Sequence, residues 1–366
     1  MKPATTTSRA SASQRLPRLL LSLLALAAPF AAPASPTDRD AAVDRLMQRY
    51  QGDVPGAALL VLKDGQPALR HGYGLADLAT RAPVTPSTDF RLASVSKQFT
   101  AASILLLAQD GKLRLDDPVR RWLPELPESD AGITLHHLLS HGSGLIDYED
   151  LMPPQTVRPL HDADVLRLLA AETRSYFPPG QGYRYSNGGY ALLALVVERA
   201  SGMPYPDFLR TRIFQPLGMS HSLAYVQGGP AVPERAYGYT EIQGAWTRTD
   251  QSMTSAVLGD GGIYTSIDDL AKWDAALYDN RLLDATSRRL AFSPHNKVIG
   301  EPYDATYGYG WRLTGDTVWH SGETVGFRNV IVRWPKRHLT VVLLSNRNAP
   351  EPYRTALAIG RLFGGD

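Results

Sequence analysis

Strand-like segments stand at both ends of this 366-residue chain, and helical segments fill the middle. Near the start, Ala57 to Leu62 is followed by the turn signal Asp64-Gly65, and Ala68 to Tyr73 returns as its partner. Near the end, Gly310 to Leu313, Thr317 to His320, Phe327 to Trp334 and Leu339 to Leu344 follow one another across short turns. Strands joined in this way pair antiparallel. The expected fold class is therefore α/β (α+β): an antiparallel sheet built from both termini, flanked by helices, with an inserted mostly helical region. The α/β part is expected at about 38–95 and 255–366, and the helical part at about 96–254.

Between the strands, apolar periodicity predicts helices at Lys97 to Gln109, Thr134 to Leu139, Asp162 to Ala171, Tyr190 to Ala200 and Pro204 to Phe214. Thr37 to Tyr50 and Glu351 to Leu362 read as terminal helices, and Ser266-Ile267-Asp268-Asp269 opens one that runs to about Tyr278. Hydrophobic residues make up 43% of the chain, enough to bury a large core. With no cysteine, stability must come from that core, and a cysteine nucleophile, a thiolate zinc site and an iron–sulfur cluster are excluded.

The first acidic residue is Asp38, preceded by Lys2, Arg9, Arg15 and Arg18, an apolar run from Leu19 to Phe30, and Ala32-Pro33-Ala34. That order is expected to be a signal peptide over residues 1–34, with residues 35–366 exported to the periplasm or secreted. Without those four basic residues, 34 basic and 36 acidic residues remain, a net charge of −2. The positive net charge of the whole chain thus gives no reason to expect nucleic-acid binding. No later apolar run is long enough to span a membrane, so no stable insertion is expected after cleavage.

Three short motifs carry chemistry. In FRLASVSKQFT, Ser94 and Lys97 stand one helical turn apart on one face. Free N–H groups at a helix start favour a reacting serine and can stabilise an oxyanion. The lysine accepts the hydroxyl proton only when neutral, which requires its pKa to fall by ~3 units, worth ~4 kcal/mol. In PPGQGYRYSNGGY, glycine and proline mark an irregular loop in which Tyr185 and Asn187 point the same way. A phenol there can relay a proton, and an amide can hold a substrate amide. Third, His320-Ser321-Gly322 ends a strand before Glu323, where glycine lets a substrate backbone approach the strand edge. Tyr278-Asp279-Asn280 and Lys63-Asp64-Gly65 mimic the second and third motifs, at a helix end and a hairpin turn.

The order S-x-x-K, Y-x-N, H-x-G resembles the serine β-lactamase and penicillin-binding-protein superfamily, whose related set is S-x-x-K, S-D-N and K-T-G. Tyr-x-Asn is similar to the class C β-lactamase branch, which also holds D-alanyl-D-alanine carboxypeptidases, D-aminopeptidases and carboxylesterases. The segments Leu138 to Leu145, Pro216 to Met219 and Gly261 to Ser266 resemble the same branch, so the likeness spans about Asp38 to Phe363. It implies a β-lactamase / DD-peptidase-like fold and an acyl-enzyme mechanism on a β-lactam, a D-amino-acid peptide or a carboxylic ester. It also implies Ser94 as nucleophile, Lys97 and Tyr185 sharing the base work, Asn187 on the acyl-side amide, and the N–H groups of Ser94 and Glu323 as oxyanion hole. His320 and Gly322 are implied to line the substrate. The expected partner is a small-molecule or peptide substrate, with no metal and no cofactor required. Histidine in place of lysine at 320 removes a permanent cation for a substrate carboxylate, which weakens the case for β-lactam hydrolysis.

Other readings carry less. No G-x-S-x-G elbow is present, and Ser143, between glycines, sits in a turn. His137 and His141 are spaced like a zinc pair, but without H-E-x-x-H. Asp116-Asp117 and Asp268-Asp269 read as loop and cap residues. Tyr237, Tyr239 and Trp246 are read as packing or as a substrate groove. A non-hydrolysing penicillin-binding receptor or a peptidoglycan-binding module is the alternative from another class.

Overall fold

The protein is described by a computed structural model over residues 36–299 and 304–365, so the expected leader at 1–34 lies outside the described residues. Its centre is an eight-stranded antiparallel sheet. The strands are β1 (Ala57–Lys63), β2 (Gln66–Tyr73), β3 (Asn296–Lys297), β4 (Thr306–Tyr307), β5 (Arg312–Thr314), β6 (Thr317–Thr324), β7 (Phe327–Trp334) and β8 (Leu339–Ser345). Their spatial order is β3-β4-β5-β6-β7-β8-β1-β2. The two ends of the chain meet where β1 pairs β8 antiparallel, from Ala57 opposite Ser345 to Lys63 opposite Leu339. The sheet drawn from both termini is thus the observed one.

Strand β1 is apolar from Ala57 to Leu62 because both of its faces are covered. Ala58, Leu60 and Leu62 enter the larger core, while Ala57, Leu59 and Val61 enter the smaller one on the opposite face. Helices α1 (Pro36–Leu46) and α7 (Tyr353–Leu362) close the smaller core through Val43, Tyr353 and Ile359, with Met47 just past the end of α1. The larger core holds α2 (Lys97–Gln109), α3 (Leu135–Leu139), α4 (Asp162–Ala170), α5 (Asn187–Ser201) and α6 (Ile267–Ala276). Edge strand β2 is mostly exposed and carries Pro67, which cannot donate to a further strand. Under α6, the Arg333 Nε donates to Asp274 Oδ1 at 2.6 Å, and Thr340 Oγ1 donates to the same oxygen at 2.8 Å.

Two local readings change. Gly188-Gly189 does not loop out: α5 already starts at Asn187, capped by Ser186 Oγ, which accepts from Gly189 N at 3.0 Å. The glycines serve packing, since a Cβ on Gly188 would sit 3.3 Å from Leu169 of α4. Past the end of α3, which stops at Leu139 as predicted, His141 takes the left-handed conformation at φ +60° although Gly142 stands next to it. The segment 205–214 is α-helical only to Leu209 and then widens into a π-turn at Arg210–Phe214. A helix at Ala285–Ala291 and a hairpin of Tyr239–Ile242 with Ala245–Arg248 had no clear sequence signal.

Candidate active site

Ser94 stands in a 3-10 turn, Ala93–Ser96, that runs directly into α2. The turn is tighter than a regular helix start, and Ala93 holds φ +50°, costly for a residue with a Cβ. It persists because both flanks are fixed. Leu92 N donates to Ile263 O at 2.8 Å, Asn329 Nδ2 donates to Arg91 O at 2.8 Å, and Ser96 Oγ accepts from Ile263 N at 3.2 Å. Gly322 of β6 presses on the same turn: a Cβ there would lie 2.0 Å from Leu92 O. Glycine in the third motif is therefore required by the approach of strand to turn.

Lys97, the first residue of α2, is fully buried. Its Nζ donates to Ser94 Oγ at 3.1 Å, Asn187 Oδ1 at 2.8 Å and the backbone carbonyl of Asp260 at 3.0 Å. All three acceptors are uncharged. Burial pushes the Lys97 pKa down to about 8, against the opposing pull of Asp260 and Glu149. Burial likewise raises the carboxyl of Asp260.

The Asp260 carbonyl is delivered by a braced loop. Asp162, at the start of α4, accepts from Leu258 N at 2.9 Å and Gly259 N at 3.0 Å, and Thr100 Oγ1 of α2 donates to Gly259 O at 2.6 Å. Gly259 is obligatory there, because a Cβ would fall 2.2 Å from Tyr190 O.

Tyr185 and Asn187 arrive on the approach to α5. The Tyr185 ring centroid lies 4.8 Å from Lys97 Nζ and 4.3 Å from the ring of His141. His141 accepts from Ser186 N at Nδ1, 3.1 Å away, which fixes the Tyr185–Asn187 backbone from below. Burial holds His141 well below the usual histidine range, so it is neutral. Asn187 bridges two groups, with Oδ1 on Lys97 and Nδ2 donating to Glu149 Oε1 at 3.1 Å. Ser94 and Lys97 thus form one cluster with Tyr185 and Asn187, a pair that lies far from them in sequence.

His320 is only 1% exposed. Its Nδ1 donates to Ser321 O at 2.6 Å, and its Nε2 accepts from the Tyr307 hydroxyl at 2.9 Å. Burial, with Arg312 nearby, keeps the ring neutral. Glu323 lies beyond it with its carboxylate turned to Arg328, 2.5 Å away. The ladder between β5 and β6 ends at Trp319, so residues 320–324 run on past it.

Two hollows meet at this cluster. One of about 700 Å³ is lined by Asp147, Glu149, Tyr183, Arg184, Tyr185 and Asn187. A smaller one of about 60 Å³ lies between Ser94, Asp260, Thr254, Glu323 and Thr324. Glu149 and Asn187 border both, and Ser94 opens on the smaller one.

Several lesser candidates have other employment. His137 caps α3, its Nδ1 accepting from Thr134 N at 3.2 Å. Tyr239 donates to Asp77 Oδ1 at 2.9 Å inside the fold, and Trp246 lies under Arg347 at 4.4 Å, so the aromatic group packs a hairpin. Sequence reasoning missed Glu149, the Asp260 carbonyl and Arg312. The first sits in a short 3-10 turn, Tyr148–Leu151, without a motif, and the second acts through backbone, which carries no side-chain signal.

An antiparallel sheet covered by helices, with a serine–lysine pair at the start of a buried helix, defines the fold class of β-lactamases and penicillin-binding proteins. The chain belongs to the Beta-lactamase family, which matches residues 39–365. It is 36% identical to "Penicillin-binding protein 4*" of Bacillus subtilis over 82% of this chain and 70% of that one. It is 31% identical to the "D-aminopeptidase" of Gluconobacter oxydans over 89% of this chain, and spans only 62% of that relative's length. Among solved structures, the D-amino acid amidase of Ochrobactrum anthropi SV3 superposes with a TM-score of 0.77 at 27% identity, over 90% of this chain and 98% of that one.

Proposed function

We propose that the protein is an exported serine hydrolase that works through an acyl-enzyme on Ser94, and that its substrates are amides or esters carrying a free amine, such as D-amino-acid amides and peptides. The observation that carries this reading is the environment of Lys97. A buried amine held only by uncharged acceptors, 3.1 Å from Ser94 Oγ, is suited to take the serine proton.

In this reading Ser94 Oγ attacks the carbonyl carbon as its proton passes to Lys97, directly or by way of Tyr185. The oxyanion is met by the N–H groups of Ser94 and Glu323, where one such donor is typically worth ~3–4 kcal/mol. Collapse expels the leaving group, protonated from the same pair, and water releases the acyl group by the reverse path. Asn187 holds the acyl-side amide. His320 supports the phenol cluster from beneath.

The substrate class is argued from charge. Glu149 stands on the larger hollow beside Asn187, where a carboxylate suits an ammonium group and repels the carboxylate of a β-lactam, while Asp147 on the same hollow is paired with Arg184 at 3.6 Å. The neutral His320 offers no cation to such a carboxylate. Relatives named for D-amino-acid substrates support the same choice.

Two measurements test the proposal. Steady hydrolysis of p-nitrophenyl acetate is expected, falling by about 10⁴-fold or more in Ser94→Ala; turnover retained in that variant, or a single stoichiometric burst in the native protein, overturns the reading. Glu149→Gln is expected to raise KM for D-alanine p-nitroanilide about tenfold, the size of one charge-assisted contact, and to leave KM for the neutral ester in place, while any change in kcat that acts through Lys97 is shared by both substrates. Equal effects on the two KM values remove the amine-binding role.

A further inference from the structure

This inference rests on the reading of Lys97 as a base. Three carboxylates, Asp260, Glu149 and Asp147, favour the protonated form of Lys97. A base embedded among acids needs an opposing charge, and the position where the related motif places a lysine holds the neutral His320.

That charge is present one strand away. Arg312 of β5 lies directly across the ladder from Trp319, the neighbour of His320. Its side chain turns inward and is buried. The guanidinium carbon lies 5.5 Å from the ring centroid of Tyr185, 5.9 Å from that of Tyr307 and 5.4 Å from that of Trp319. Tyr185 therefore has two basic head groups near it, Lys97 Nζ at 4.8 Å and Arg312. The two histidines packed into this cluster, His141 and His320, are both neutral.

We propose that Arg312 is the positioning cation of the active site: by standing behind Tyr185 it favours the neutral amine of Lys97 and the proton-accepting phenol, the electrostatic work that a lysine in the third motif would otherwise share. The charge has moved from where it faces substrate to where it faces the base. Guanidinium suits this place, since it stays charged when buried and lies flat against aromatic faces. A site of this kind keeps a reactive serine while giving up its grip on a substrate carboxylate.

The proposal separates from a packing role through the pH profile. We compare kcat/KM for p-nitrophenyl acetate between about pH 5.5 and 9.5 in the native protein and in Arg312→Lys, Arg312→Gln and Arg312→Met. The two neutral variants differ in shape, so that at least one is available should the other not fold. Each is expected to move the acid limb upward by roughly half to one pH unit, while Arg312→Lys leaves it in place. Adding His320→Lys to Arg312→Gln is expected to bring the limb back toward the native position. An unmoved limb in a folded neutral variant, or a limb moved as far by Arg312→Lys as by Arg312→Gln, overturns the proposal. Either result leaves the serine hydrolase reading intact, since that one falls only if Ser94→Ala keeps its turnover.

Discussion

Arg333 and Lys97 are both long basic side chains withdrawn from water, one in the sheet beneath α6 and one at the floor of the cleft. Arg333 meets a carboxylate: Asp274 Oδ1 lies 2.6 Å from its Nε, and the two side chains are 1% and 3% exposed. A guanidinium never gives up its proton, so its charge stays in the core, and here a matched ion offsets it. Lys97 meets a hydroxyl, an amide and a carbonyl oxygen. Those acceptors satisfy its N–H groups without fixing its charge, and burial then lowers its pKa. The same elementary cost, that of burying a cation, locks one region and makes the other reactive. The choice of acceptor decides which.

The contrast is broken first by Lys97→Arg. A permanently charged group cannot take the serine proton, and loss of that transfer is expected to lower kcat/KM by about 10²–10⁴-fold with the fold retained. Rates near native in that variant, measured on the ester, would show that the amine need not be neutral. Next in size is Asp274→Ala, which strands Arg333 in the core at a cost of about 3–5 kcal/mol in urea unfolding, with the rate per folded molecule unchanged. A loss of activity larger than the loss of folded protein would tie the two regions together.

Sharpening comes from pH. Because Lys97 must be neutral to act and titrates at about 8, kcat/KM is expected to rise through that pH and to fall about tenfold per unit below it. The smaller effect is on stability. The Lys97 pKa in the folded protein lies below its unfolded value of about 10.4, so the unfolded chain binds more protons between about pH 8 and that value. Burial of the charged amine therefore costs stability in full below about pH 8, and that cost falls away as pH rises across this window. A profile flat through pH 8 in both measurements would contradict the neutral lysine.

Much of the fold was legible because its signals are local. Asp64-Gly65 between two apolar runs predicts the hairpin of β1 and β2, and the closing strands announce themselves in the same way. The pairing of Ser94 with Lys97 was legible for the same reason, since three residues along a helix bring side chains to one face. Gly188-Gly189 misled, because glycine that serves helix packing has the same spelling as glycine that serves a turn. The place of His320 was not legible: its two hydrogen bonds depend on Tyr307, on another strand, and on the turn of its own backbone.

By itself the sequence determined the sheet drawn from both termini, the absence of thiol chemistry and the serine–lysine pair, all of which follow from composition or from spacing within one turn or one hairpin. Tertiary structure alone decided that Lys97 meets uncharged acceptors, that Asn187 is shared with Glu149, and that the guanidinium of Arg312 stands behind Tyr185. The physical reason is one of range: hydrogen-bonding geometry along a strand or helix is set by neighbours in the chain, whereas a buried side chain takes its charge state from whatever distant segments exclude its water.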